Sequence, residues 1–121
     1  MRGKMTKYHA HKTEVNGITF SSKLEADRYE QLLWLEKAGE ITDLKLQVEF
    51  QINQGWKHPE TGEKIRSNHY VADFMYCDVK NNKIIVEDTK GMETSDFRLK
   101  WNLVRSQYPQ YEFRKVTRDM V

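Results

Sequence analysis

The sequence predicts a mixed α/β protein, an α+β sheet flanked by helices, with its elements in the order α-β-β-β-α-β. Three observations predict it. Leu44 to Ile52 alternates apolar and polar residues at every step, the period of a half-exposed strand. Two segments, near 23–38 and 95–107, space their apolar residues three and four apart instead, as a helix requires. Two short apolar runs on either side of Asn81-Asn82 have the form of a strand pair joined by a tight turn.

Residues 1–19 read as a basic N-terminal arm on a single domain spanning 1–121. The first helix starts at Ser22, which can cap it, with Glu25 at the reciprocal capping position; it runs to about Ala38 and stops at Gly39. Leu24, Tyr29, Leu32, Leu33 and Leu35 share one arc of this helix, and Lys23, Asp27, Glu30 and Lys37 take the other side. Trp34 is the misfit on the polar side, and Glu25 lies near the middle of the apolar arc. After the alternating strand, residues 53–68 form an extended hairpin loop turned by Pro59-Glu60-Thr61-Gly62 and carrying Trp56, Lys57, His58, Lys64 and Arg66. Strands follow at about 69–78 and 83–90. Thr94 or Ser95 then caps a second helix reaching about Gln107, with Phe97, Trp101 and Val104 as its buried stripe. Pro109 breaks it, and Tyr111 to Val116 make a last strand.

The strand pair carries the chemistry. Tyr70-Val71-Ala72-Asp73-Phe74 and Val86-Glu87-Asp88-Thr89-Lys90 each place an acid where an apolar strand gains nothing from one. Side chains alternate faces, so Ile84, Val86, Asp88 and Lys90 share one face and Glu87 takes the other. If Asn81-Asn82 form a two-residue primed turn, Lys80 pairs with Lys83, Met75 falls opposite Asp88, and Asp73 falls opposite Lys90. Directly opposed residues share a face, so Asp73, Asp88 and Lys90 converge on one patch. Two acids and a lysine ending apolar strands suggest metal-assisted attack on a phosphodiester; the bland alternative is a surface ion pair.

Composition narrows the class. Aromatic residues make up 12% of the chain, too many for a disordered polypeptide of mean hydropathy -0.84. No apolar run approaches membrane-spanning length, no basic-then-apolar signal segment opens the chain, and the single cysteine, Cys77, excludes an intrachain disulfide. No membrane association is expected, and a reducing cytoplasm is the expected setting. The net charge is only +2, but residues 1–21 and 91–121 are basic and residues 22–53 acidic. Basic ends around an acidic middle suit a protein that grips phosphates at its edges and holds metal at its centre.

An acid in a first helix, an Asp in a central strand, and Asp-x-Lys ending the next strand, followed by a helix and a strand, resembles the layout of the PD-(D/E)XK nuclease superfamily. Here those elements are Glu25 in Ser22-Lys23-Leu24-Glu25-Ala26, Asp73 in Val71-Ala72-Asp73-Phe74, and Asp88-Thr89-Lys90. The likeness runs from about Phe20 to Val116. It points to a small phage- and prophage-encoded branch, distantly similar to Holliday-junction resolvases and to the nuclease subunit of Tn7-like transposons. Ala72 rather than Pro precedes Asp73, and Glu87 stands directly before Asp88; strand parity favours Asp88 as the metal-binding acid.

The resemblance implies a restriction-endonuclease-like core and a divalent-metal-dependent DNA endonuclease with Glu25, Asp73, Asp88 and Lys90 as catalytic residues. Magnesium is the implied ion, with manganese able to substitute, because hard oxygen ligands and retained waters suit both. Asp73 and Asp88 are the implied direct ligands, Glu25 a ligand directly or through water, and the Thr89 carbonyl a further one. Lys90, charged beside two carboxylates, has an electrostatic role. The implied setting is the cytoplasm of a bacterial host, and the implied substrate is branched, recombination or replication DNA.

Further residues are expected to hold DNA: Lys7, His9, His11 and Lys12 on the arm, Trp56, Lys57 and Arg66 on the long loop, and Lys100 at the edge of the second helix's apolar stripe. Gln47, on the polar face of its strand, is expected to face solvent or, as the alternative, to line the site; His69 is expected to be structural, and exposed Trp34 to mark a homodimer contact. Two other classes stand beside the nuclease: a DNA-binding module of the same fold that does not cut, and a scaffold or host-interaction protein.

Overall fold

The computed structural model describes residues 12–90 and 92–121, so Lys7, His9 and His11 of the expected arm lie outside the described residues. From Thr13 onward that stretch is a hairpin rather than an arm. β1 (Thr13–Val15) and β2 (Ile18–Phe20) pair antiparallel across Asn16-Gly17. Asn16 and Gly17 have φ of 53° and 79°, the left-handed pair that an Asn-Gly primed turn needs. Phe20 is buried against Tyr29 and Phe74, which ties the hairpin to the body. The arm expected to end at residue 19 is therefore corrected: from Thr13 it is a hairpin, tied to the core by Phe20 just beyond it.

α1 (Lys23–Lys37) begins where its cap predicts, the Ser22 hydroxyl accepting from the Glu25 amide at 3.1 Å. It ends before Gly39, whose φ of 78° is left-handed. β3 (Ile41–Asn53) is longer than the alternating pattern alone marks. The long connection carries a small outlying hairpin of β4 (Trp56–Lys57) and β5 (Lys64–Ile65), closed by His58 and Glu63 across the expected turn. β6 (Asn68–Asp78) and β7 (Lys83–Thr89) follow, then α2 (Ser95–Gln107), capped by Thr94, and β8 (Glu112–Val116). A short 3-10 turn, Arg118–Met120, ends the described chain.

Four strands form one mixed sheet in the order β3-β6-β7-β8, antiparallel except for the last pair. The parallel pair is joined through α2, as a crossover requires. Two cores sit against this sheet. One gathers Tyr29, Leu32, Ile41, Phe74, Tyr76 and Ile85 with α1; the other gathers Phe50, Tyr70, Ala72, Val86, Trp101 and Val104 with α2.

The β3–β6 ribbon serves both cores with one face. Leu44, Leu46, Phe74 and Tyr76 belong to the α1 core, whereas Val48, Phe50, Ala72 and Tyr70 belong to the α2 core, although all are even-numbered. Strand parity alone would put them on one side. The ribbon therefore coils from one core to the other, and the change falls between Leu46↔Phe74 and Val48↔Ala72. Gln47 stands at that point with φ 53°. At the same place β6 leaves β7: their pairing ends at Phe74↔Glu87, while β7 continues to Thr89.

The β6–β7 register differs from the expected one by two residues. Asp78 pairs with Lys83, so the connection is Val79 to Asn82 rather than Asn81-Asn82 alone. The Asp78 carboxylate accepts from the Asn81 side chain at 2.8 Å, and the Val79 amide donates to the Glu40 carbonyl at 3.1 Å, which together hold the wider turn. Met75 consequently faces Val86 rather than Asp88. Continued by one step, the register sets Asp73 beside Asp88, not Lys90. An even shift preserves parity, so which residues share a face is unchanged. Among the described residues, no helix is long and apolar enough to cross a membrane.

Candidate active site

Glu87 and Asp88 are adjacent, both buried, and on opposite faces of β7. Glu87, with no solvent exposure, is held by the Arg28 guanidinium from α1 through Nε–Oε1 at 2.8 Å and Nη2–Oε2 at 2.5 Å. The Tyr76 hydroxyl also donates to it. Its charge is met by a planar bidentate cation, and Arg28 is in turn raised in pKa chiefly by that hydrogen bond. Glu87 thus belongs to the fold, as strand parity predicts.

Asp88 has no comparable partner. Its Oδ2 accepts from the Tyr70 hydroxyl, and the Lys90 ammonium stands 3.5 Å from its Oδ1. Burial, and then the charge of Asp73, push the Asp88 carboxyl up to about 7, against the opposing pull of Tyr70 and Lys90. Tyr70 is raised far above the usual phenol range by burial and by Asp88, so it remains a donor.

Asp73 sits where β6 and β7 part. The Thr89 amide, left without a ladder partner on β6, donates to Asp73 Oδ2 at 2.8 Å, and the Thr89 hydroxyl donates to the same oxygen at 2.8 Å. A side chain replaces the missing backbone acceptor and is fixed in the gap. Glu25, 4% exposed in the first turn of α1, reaches the site from the other side. Its Oε1 accepts from the Ser21 hydroxyl at 2.8 Å and its Oε2 from the Gln47 amide at 3.0 Å. Burial, followed by the charge of Asp73, raises the Glu25 carboxyl. Asp73 therefore lies between Glu25 and Asp88 and perturbs both. A cavity of about 470 Å³, lined by Phe20, Ser21, Glu25, Leu46, Gln47 and Asp73 among others, opens beside this row.

Lys90 is fixed by more than Asp88. Its Nζ lies 4.1 Å from the centroid of the Phe97 ring on α2, a cation–π contact. Lys115 of β8 stands in register with Asp88, bonds Glu93 at 3.2 Å and lies 5.7 Å from the same ring.

Carboxylate oxygens are the hard donors that magnesium or manganese takes, and two suffice when water fills the remaining positions. Asp73 and Asp88 fit that requirement, and the raised Asp88 marks a place short of positive charge. The three acids do not form a closed cage: among the described residues, no three His, Cys, Asp or Glu side chains are gathered to hold a metal ion together.

The structure thus brings Glu25, Asp73, Asp88, Thr89 and Lys90 to one place. Thr89 enters through its hydroxyl and amide, donors to Asp73, a role the sequence reading did not include. Tyr70, Ser21 and Lys115 were also missed. Of the two readings of Gln47, the solvent-facing one is corrected, because its amide binds Glu25 and it lines the cavity. Among the residues expected to hold DNA, Lys12, Trp56, Lys57 and Arg66 are exposed, the last three on or beside the outlying β4–β5 hairpin. Lys100 pairs with Asp96 at 3.7 Å on the surface of α2. Trp34 is 71% exposed, with Lys37 against its ring.

No curated protein and no solved structure matches the chain. One family does, over residues 5–120, under the description "Protein of unknown function (DUF1064)". Since that match takes in nearly the whole sequence, the chain belongs to the DUF1064 family.

Proposed function

We propose that this protein is a divalent-metal-dependent DNA endonuclease, phage-encoded and acting in a bacterial cytoplasm on branched, recombination or replication DNA. One observation carries the reading: two neighbouring carboxylates, Asp73 and Asp88, with a lysine 3.5 Å from Asp88, meet where two strands of the sheet part. The mutual repulsion of these acids gives the fold nothing, so their convergence asks for a function. It also agrees with the resemblance of Glu25, Asp73 and Asp88-Thr89-Lys90 to the PD-(D/E)XK nucleases.

Asp73 and Asp88 would hold magnesium or manganese, with Glu25 as a third ligand, direct or through water, and the Thr89 carbonyl as a fourth. The bound ion would supply charge neutralisation at the phosphate and an acidified water. Thr89 orients Asp73 through two donors, so that carboxylate is set before any ligand arrives. Tyr70 orients Asp88 in the same way. Lys90, steadied over Phe97, places a fixed positive charge beside the phosphate and stabilises the charge that develops there. Trp56, Lys57 and Arg66 on or beside the β4–β5 hairpin, Lys12 before β1 and Lys100 on α2 would meet DNA, together with Lys7, His9 and His11. Exposed Trp34 suits a homodimer contact.

A second reading, a DNA-binding module that does not cut, is favoured by the open arrangement of the three acids. The test is cleavage of branched, single-stranded and duplex DNA with magnesium or manganese, run beside Asp88→Ala and Lys90→Ala. Metal-dependent cutting by the natural sequence, lost in both variants, is the expected result. Binding without cutting of any substrate supports the second reading, and cutting that survives both substitutions removes the site assignment.

A further inference from the structure

Gln47 has a backbone its residue type rarely adopts. Its φ of 53° lies within a strand, in the left-handed region that a non-glycine residue keeps only where its surroundings hold it. The bend at Gln47 lets the β3–β6 ribbon pass from one core to the other, and glycine would make that bend with less strain. The bend therefore accounts for the backbone and not for the glutamine. What glutamine adds is its amide. Leu46↔Phe74 and Val48↔Ala72 set Gln47 opposite Asp73, and its Nε2 donates to Glu25 Oε2 at 3.0 Å. The Ser21 hydroxyl meets the other oxygen, Oε1, at 2.8 Å. A carboxylate accepts about four hydrogen bonds, so both oxygens keep capacity for a further ligand.

We infer that Gln47 is a positioning residue that acts through Glu25, turning this acid from α1 toward Asp73 so that it bears, through bound water, on a divalent cation held by Asp73 and Asp88. The inference rests on the proposed cation-holding role of those acids and adds a residue from a fourth element, β3, to the site. Side chains that orient ligands typically change metal affinity by about 10–100-fold when removed.

The experiment uses the full chain and Mn2+ alone, reading the thermal midpoint against metal concentration. Gln47→Gly keeps the bend and loses the amide. Its metal-free midpoint is expected within a few degrees of the natural protein's, with about 10-fold more Mn2+ needed for the same stabilisation. Gln47→Asn tolerates the left-handed backbone but is one methylene too short to reach Glu25, and it serves if the glycine variant does not fold. In a Glu25→Ala background the change at Gln47 should add nothing, because the two act as one unit. An unchanged Mn2+ requirement in Gln47→Gly, or the same loss with Glu25 already removed, overturns the inference while leaving the nuclease reading intact. A natural protein that Mn2+ does not stabilise at all overturns both.

Discussion

Glu87 and Asp88 are consecutive residues on one strand with opposite electrostatic fates. Glu87 faces α1 and is completed there by the fork of Arg28 and the hydroxyl of Tyr76. Asp88 faces away, meets a second acid, and has Lys90 at 3.5 Å as its ion-pair partner. Burial is alike in the two, so burial does not separate a structural acid from a chemical one. Compensation does. The two-residue period of the strand separates them, sending one acid to a completed ion pair and the other to an unfinished cluster.

The comparison can be broken most forcefully at Glu87. Glu87→Ala leaves Arg28 and the Tyr76 hydroxyl buried without their acceptor, and a loss of about 3–5 kcal/mol in denaturant unfolding is expected. A loss below about 1 kcal/mol would mean that the pair is not what stabilises this face.

At Asp88 the expected effect has the opposite sign. Its folded carboxyl lies at about 7, above the ordinary 3.8, so the folded state binds more protons between those values. Its contribution to stability is therefore most favourable near pH 4, falls as pH rises toward 7, and stays low above 7. The full linkage is on the order of 4 kcal/mol. Glu25, also raised, acts in the same direction. The check is the difference in unfolding free energy between the natural sequence and Asp88→Asn, which should vanish near pH 4 and open above pH 7. At pH 8 the variant should be the more stable by up to that full linkage, on the order of 4 kcal/mol. A divalent cation should stabilise the natural protein at that pH and have little effect on Asp88→Asn.

The smallest effect is expected far from either acid. Arg118 bonds Asp27 at 2.9 Å on an exposed surface, and Arg118→Ala should change stability by less than about 1 kcal/mol, as exposed pairs do.

Much of this contrast was legible in the sequence, because it depends on parity and caps. Ser22, Gly39 and Thr94 bound their helices as local chemistry dictates, and Phe97, Trp101 and Val104 are the buried stripe of α2. The hairpin register was not legible. Asn81-Asn82 is a good two-residue turn locally, but the Val79 amide is taken by the Glu40 carbonyl, a partner far away in sequence, and the turn widens. Asp73 still shares the site because the slip is even. Asn16-Gly17 was a readable hairpin signal, passed over in favour of the basic charges around it. For Gln47 the sequence offered only its place on the polar face of β3: its left-handed backbone arises from a ribbon bending between two cores, and its bond to Glu25 from how α1 lies beside β3.

The central claim is that the unfinished face of β7 cuts DNA and the completed face only supports it. The most direct measurement is magnesium-dependent cleavage of branched DNA by the natural protein, Asp88→Asn and Glu87→Gln, each normalised to its folded fraction. The account predicts cutting by the natural protein and Glu87→Gln, and a loss of about 100-fold or more in Asp88→Asn. Undiminished cutting by folded Asp88→Asn would contradict it.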